Sequence, residues 1–142
     1  MDIEPFRIDD YDEMIALWER AGLSHDKERR DSRAEIERQL FDDHMAFIAL
    51  RHEGKMIGVI IASYDGRKGW LNRLAIDPDW RGRRLAARLI EAGEARLAEM
   101  GAVVIGGLIE DQNFPSMAAF KHCGYEAWEH IVYFRKKLGP AE

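Results

Sequence analysis

A chain of 142 residues, 46% apolar and 33% charged, is long enough to close one hydrophobic core and too evenly mixed to read as disordered. Its 21 Lys and Arg against 26 Asp and Glu leave a formal net charge of −5, which argues against a general affinity for nucleic acid or an anionic membrane. The lone cysteine, Cys123, excludes an internal disulfide, and with no basic-then-apolar leader and no membrane-length apolar run the expected location is cytoplasmic.

No repeat, low-complexity block or Pro/Ser-rich linker interrupts the chain, so residues 1–142 read as a single domain. Residues 3–8 read as a short first strand. Asp9 or Asp10 then caps a helix running to about Arg20, with Met14, Ile15, Leu17 and Trp18 on its apolar side and Gly22 as its stop. Residues 24–33 are almost wholly polar and read as a mobile loop. Residues 34–41 follow as a second short helix, with Ile36, Leu40 and Phe41 facing inward. Residues 45–50, 56–64 and 70–76 are β-branched and apolar, joined by turns at 52–55 and 65–69, and predict an antiparallel meander.

Beyond Pro78, residues 82–100 carry Ala86, Leu89, Ile90, Gly93, Leu97 and Met100 at helical spacing, and Gly101 supplies the C-terminal stop. The nearly continuous apolar run 102–109 is the pattern of a central strand buried on both faces. Asn113 caps a further helix with Pro115 in its first turn, ending near Gly124, and residues 125–137 return as one or two strands.

The most specific local feature is the junction at residues 77–86, where a strand turns into a helix within a few residues. Backbone N–H groups without intrahelical partners point outward there, at the positive end of the helix. Gly82 permits close backbone approach, and Arg81, Arg83, Arg84 and Arg88 can add charge-assisted hydrogen bonds, an arrangement suited to a diphosphate. By charge alone, a solvated arginine-rich helix start fits equally well.

The run Leu74-Ala75-Ile76-Asp77-Pro78-Asp79-Trp80-Arg81-Gly82-Arg83-Arg84-Leu85-Ala86 resembles the strand–turn–helix that holds the coenzyme A pyrophosphate in the GNAT superfamily of N-acetyltransferases. Downstream, Asn113, Phe120 and Gly124-Tyr125 are similar in spacing to that family's Asn, Tyr and Gly-Phe/Tyr signature. The element order agrees end to end, most closely with small stand-alone bacterial members related to ribosomal-protein N-terminal acetyltransferases.

The resemblance implies an α+β GNAT fold: a mixed, mostly antiparallel sheet of six to seven strands flanked by four helices, with two neighbouring parallel strands splayed to form a cofactor slot. It implies acetyl-CoA as cosubstrate. Leu74, Ala75 and Ile76 would pair with the pantetheine arm, Arg81, Gly82, Arg83, Arg84, Leu85 and Ala86 would hold the pyrophosphate, and Asn113 and Phe120 would border the cofactor. The acceptor would be an amine of a small molecule, peptide or protein, attacked directly in a ternary complex. Homodimers are common in this fold, and the sequence identifies no surface for one.

Two residues depart from the family pattern. Arg84 stands where Gly is usual, so its side chain has to turn away from the phosphates or grip them. Phe120 stands where a tyrosine is thought to protonate the leaving thiolate, and a phenyl ring has no proton to give. The strand positions where some members carry an acidic base hold Asn72 and Arg73, which leaves Glu110 and Asp111 as candidates, with Glu110 preferred; both also read as solvated residues before a helix cap. A catalytically impaired acyl-CoA-binding or regulatory module, or an interaction domain that kept the fold alone, are the rival readings. Cys123 reads as a small buried hydrophobe, the five histidines show no metal-ligand spacing and no metal is expected, and the four tryptophans read as packing residues.

Overall fold

The structure, a computed structural model, describes residues 1–140. In chain order it holds β1 (Asp2–Pro5), α1 (Tyr11–Ala21), α2 (Arg33–Leu40), β2 (Met45–His52), β3 (Lys55–Tyr64), β4 (Gly69–Ile76), α3 (Leu85–Met100), β5 (Ile105–Gly106) and α4 (Phe114–His122). One sheet of five strands runs in the order β1-β2-β3-β4-β5, antiparallel throughout except for the parallel pair β4–β5. The α+β class and the four helices are as the sequence predicts.

The sheet separates two apolar clusters because successive strand side chains point to opposite faces. On one face α1 and α2 place Met14, Leu17, Trp18 and Ile36 against Phe47, Ala49, Val59 and Ile61. On the other, α3 places Leu85, Leu89, Ile90 and Leu97 against Ile48, Leu50, Ile60, Ala62 and Leu71. Strict alternation fails at two places. Leu50 pairs with Gly58 but Arg51 pairs with Met56, so Ile57 is an extra residue on β3. Val59 pairs with Ala75 but Ile61 with Asn72, which bulges β4 at Arg73 and Leu74, and Arg73 sits at φ 58°. That bulge bends β4 immediately before the anion-type turn.

Four expectations are corrected. The first strand ends at Pro5, and residues 8–10 form a 3-10 turn leading into α1. Phe41 is 83% exposed, because α2 ends at Leu40 and the chain turns away from the core there. Asp10 stands at the start of α1 but its side chain does not cap the helix, accepting instead from the Arg7 N–H (2.9 Å); the loop before α2 turns around the buried Asp31, whose carboxylate accepts from the Asp26 N–H (2.9 Å) and whose carbonyl accepts from the Tyr11 hydroxyl. The sheet has five strands among the described residues rather than six to seven, since residues 125–137 join no strand and only Ile105 and Gly106 of the run 102–109 are paired. That run therefore lies at a sheet edge instead of the centre.

Candidate functional site

β4 and β5 pair only at Gly69–Ile105 and Trp70–Gly106, and then separate. Gly107 stands at the point of divergence, where a Cβ would meet the Leu71 carbonyl oxygen at 2.8 Å. Beyond it the gap opens into two adjoining clefts, which share Ala21, Leu23, Leu74, Asn113 and Ser116 in their walls.

The first cleft, about 320 Å³, runs from the end of β4 to the start of α3. It is lined by Leu74, Ala75, Ile76, Arg81, Gly82, Arg84, Leu85, Ala86 and Asn113, so nine predicted cofactor residues converge on one cavity. Arg83 is the one residue of the loop outside that lining. Its guanidinium lies 4.7 Å from the Trp80 ring centroid, an attraction between cation and aromatic face.

The turn is built on Asp77, whose side chain is 2% exposed. Its carboxylate accepts from the Asp79 N–H (3.0 Å) and from Arg20 of α1 (3.1 Å), with the Lys55 ammonium at 3.6 Å. Burial pushes this carboxyl up, but the Asp79 N–H, the Arg20 guanidinium and Lys55 together outweigh it and hold the group below the usual carboxylate range. Gly82 then takes φ 80° and Arg84 φ 58°, which swing the chain into α3. Arg84 precedes the helix in the left-handed region and makes no side-chain cap, whereas α2 and α4 are capped by Ser32 and Asn113. The first N–H groups of α3 are thus left to the cleft. The Arg84 side chain turns to α4, donating to His122 Nε2 (3.1 Å), and Arg88 donates to the Met1 carbonyl (3.3 Å), so both guanidinium groups are engaged with the protein.

The second cleft, about 460 Å³, is bounded by Ser24, Asn72, Arg73, Glu110, Gln112 and Phe120 among others. Glu110 is exposed on its rim. The Arg73 guanidinium stacks 4.2 Å from the Trp18 ring centroid and donates to the Ser24 carbonyl, tying the loop after α1 to β4. Phe120 is 5% exposed, its ring edge directed at Gly107 and packed edge-on against Tyr125 with centroids 4.9 Å apart.

No tyrosine lines either cleft. The Tyr125 hydroxyl donates to Glu94 on α3 (2.7 Å), and burial, that bond and the Glu94 charge raise its pKa well above the usual phenol value. Tyr133 is exposed in the C-terminal segment, and Tyr64 packs beside Gly101 at the far end of α3. Among the described residues, no tyrosine stands in for the one missing at Phe120. Ala21, Leu23 and Ser24, which wall the clefts from the α1 side, carry no motif signal; only the helix stop at Gly22 indicated that the chain turns there.

A mixed sheet splayed beside an uncapped helix start defines a GNAT-type fold. The chain belongs to the Acetyltransferase (GNAT) family, which it matches over residues 11–125. It is 33% identical over 138 residues to an acetyltransferase of Sodalis glossinidius (strain morsitans), covering 97% of this chain and 96% of that one. It is 30% identical over 142 residues to an acetyltransferase of Pectobacterium atrosepticum, covering 100% and 99%. Two solved structures share the fold. An aminoglycoside antibiotic 6'-N-acetyltransferase from Acinetobacter haemolyticus matches with TM-score 0.77 at 21% identity, over 98% of this chain and 100% of that one. The PaiA N-acetyltransferase from Thermoplasma acidophilum, in complex with coenzyme A, matches with TM-score 0.77 at 15% identity, over 88% and 89%.

Proposed function

We propose that the chain acts as a single domain that transfers an acetyl group from acetyl-CoA to a primary amine by direct attack in a ternary complex. The observation that carries this reading is the α3 start: a helix of ordinary length with no side-chain cap, opening onto a cleft that also holds Gly82 and Arg81. The residues present fit the cosubstrate. The N–H groups at the α3 start and Arg81 suit a pyrophosphate, and the apolar side chains of Leu74, Ile76 and Leu85 suit a pantetheine arm. Asn113 spends its carbonyl oxygen on the Ser116 N–H (3.3 Å), so its amide NH2 is the group it offers a ligand.

Acetyl-CoA supplies an activated thioester, and the protein supplies alignment, an effect worth about 7–11 kcal/mol for well-placed reactants. The second cleft adjoins the first through Leu74, Asn113 and Ser116 and is the place for the amine. An acceptor ammonium must lose its proton before attack. Glu110 on the rim is the carboxylate we assign to that step, directly or through water. Phe120 leaves the departing thiolate without the family's tyrosine, a loss of at most about the 10²–10⁴-fold typical of one acid–base group. Cationic small molecules, as well as peptide and protein amines, satisfy this site.

A second reading has its own observation: with Phe120 in the cleft and Tyr125 committed to Glu94, the protein is an acyl-CoA-binding module with impaired catalysis. Two measurements separate the readings. Acetyl-CoA at about 100 times its dissociation constant stabilises a binding protein by about 2.7 kcal/mol, so a thermal shift with acetyl-CoA or CoA tests the first cleft, and no shift refutes both readings. Release of CoA thiol with a panel of amines, peptides and aminoglycosides then tests transfer. Binding without turnover would select the module.

A further inference from the structure

Arg73 sits in a strained place, a charged residue at φ 58° inside β4, in the left-handed region that residues with a side chain rarely enter. The bulge there also breaks the alternation of the strand. Leu71 belongs to the apolar cluster under α3, and Ala75, four residues on, belongs to the cluster under α1. Between them the chain re-aims the Arg73 side chain toward α1. Strain of this kind persists only where surrounding contacts over-determine it, and it gathers at functional sites.

Two contacts hold Arg73 there. Its guanidinium lies 4.2 Å from the ring centroid of Trp18, a wholly buried residue whose indole N–H makes no hydrogen bond among the described residues, so that packing places the ring and its face is what Arg73 meets. The same guanidinium donates to the carbonyl of Ser24, 49 positions away in the chain. Ser24 follows the left-handed turn at Gly22 that ends α1, and Leu23 is anchored by its N–H to the Trp18 carbonyl (2.9 Å). Gly22, Leu23 and Ser24 all wall the second cleft, which Arg73 also lines. One planar cation thus joins the strand on one side of that cleft to the loop on the other. We propose that Arg73 is a positioning residue for the amine acceptor, fixing the wall 22–24 before the amine arrives. The strain in β4 serves to preorganise that wall, which spares the acceptor the cost of ordering it. Lysine is an incomplete substitute, because its ammonium lacks the flat fork that stacks on Trp18 while bonding Ser24. The proposal rests on the second cleft being the place of the amine.

Two variants separate the wall from the strain. Arg73→Met keeps an unbranched side chain and loses the guanidinium, whereas Arg73→Gly loses the guanidinium and the strain together. Each is read by hydrogen exchange of the free protein and by CoA thiol release with whichever amine, peptide or aminoglycoside the wild type turns over fastest. In both variants the amides of residues 23–25 are expected to exchange faster by roughly tenfold or more, the scale of one charge-assisted hydrogen bond. The KM for the amine should rise by a similar factor while the KM for acetyl-CoA stays near the wild-type value. Arg73→Gly should show the higher thermal midpoint of the two, and Arg73→Lys an amine KM between those of the wild type and Arg73→Met. Wild-type exchange and amine KM in Arg73→Met overturn the proposal. So do equal rises in both KM values, or a fall in kcat alone, since a merely structural role would not single out the amine. A wild type that acetylates no amine refutes the transfer reading instead; exchange then decides whether Arg73 holds the wall, and unchanged rates at 23–25 overturn it. If Arg73→Met fails to fold, Arg73→Gly and Arg73→Lys carry the same comparison.

Discussion

Arg84 holds a left-handed backbone conformation (φ 58°) that costs a residue with a side chain roughly 1–2 kcal/mol. Its side chain returns only an exposed contact to His122. Arg84→Gly is therefore expected to raise the thermal midpoint, the gain reduced by the roughly 0.5–1 kcal/mol of extra chain entropy that glycine loses on folding. Arg84→Val should lower it, and equal midpoints for the two variants would contradict a strained turn. Asp65 gives the pH dependence at this scale. The Lys68 N–H, the Trp70 indole N–H and the Arg67 N–H bond to its carboxylate and lower its pKa to about 2. An unfolded carboxylate titrates near about 3.9, so the stabilisation from ionised Asp65 is fully present above that pH and is lost as pH falls through about 2. The gap in thermal midpoint between wild type and Asp65→Ala should therefore narrow over that interval; a constant gap would show that the charge contributes nothing.

Among the elements, α4 and β5 frame the clefts by different devices. Asn113 caps α4, and Asn113→Ala is expected to cost about 1 kcal/mol in a denaturant melt, through loss of the bond to the Ser116 N–H. The same change removes the NH2 group proposed to face the cosubstrate, so acetyl-CoA affinity measured by calorimetry should fall as well. β5 depends on Gly107 being without a Cβ. Gly107→Ala would force backbone against the Leu71 carbonyl, a shift expected to cost about 1–3 kcal/mol. Its clearest readout is faster hydrogen exchange at the Gly69 N–H, which is bonded to the Val104 carbonyl (2.9 Å). The helices were legible in sequence because their apolar period coincides with the glycine stops at Gly22 and Gly101 and the cap at Asn113. β5 was misread because an apolar run records that its residues suit burial, not how many strands lie beside it.

At the scale of the whole molecule, the sheet keeps the two apolar clusters apart. Ile15 lies in the cluster under α1 and Ile90 in the one under α3. Ile15→Val and Ile90→Val should each cost about 0.5–1.5 kcal/mol, and the double variant should equal their sum within about 0.3–0.5 kcal/mol. A larger deviation would mean that strain crosses the sheet. Asp77 is the polar link between the two sides, joining Arg20 of α1 and Lys55 of β3 to the turn before α3. Its carboxyl is held below the usual range, so the stability it contributes is present above the unfolded value and is lost at more acid pH.

The sequence by itself determined the class of the fold, the four helices and the turn residues that line the first cleft, because each rests on neighbours in the chain: a cap, a period, or a turn of consecutive residues such as Arg81 to Ala86. Only the tertiary structure decided where those residues face. It turned the Arg84 guanidinium toward His122 and withdrew Tyr125 to Glu94. It also set Glu110 on the rim of a second cleft with Ser24 and Arg73. These outcomes depend on contacts between residues far apart in sequence, and local pattern carries no record of them.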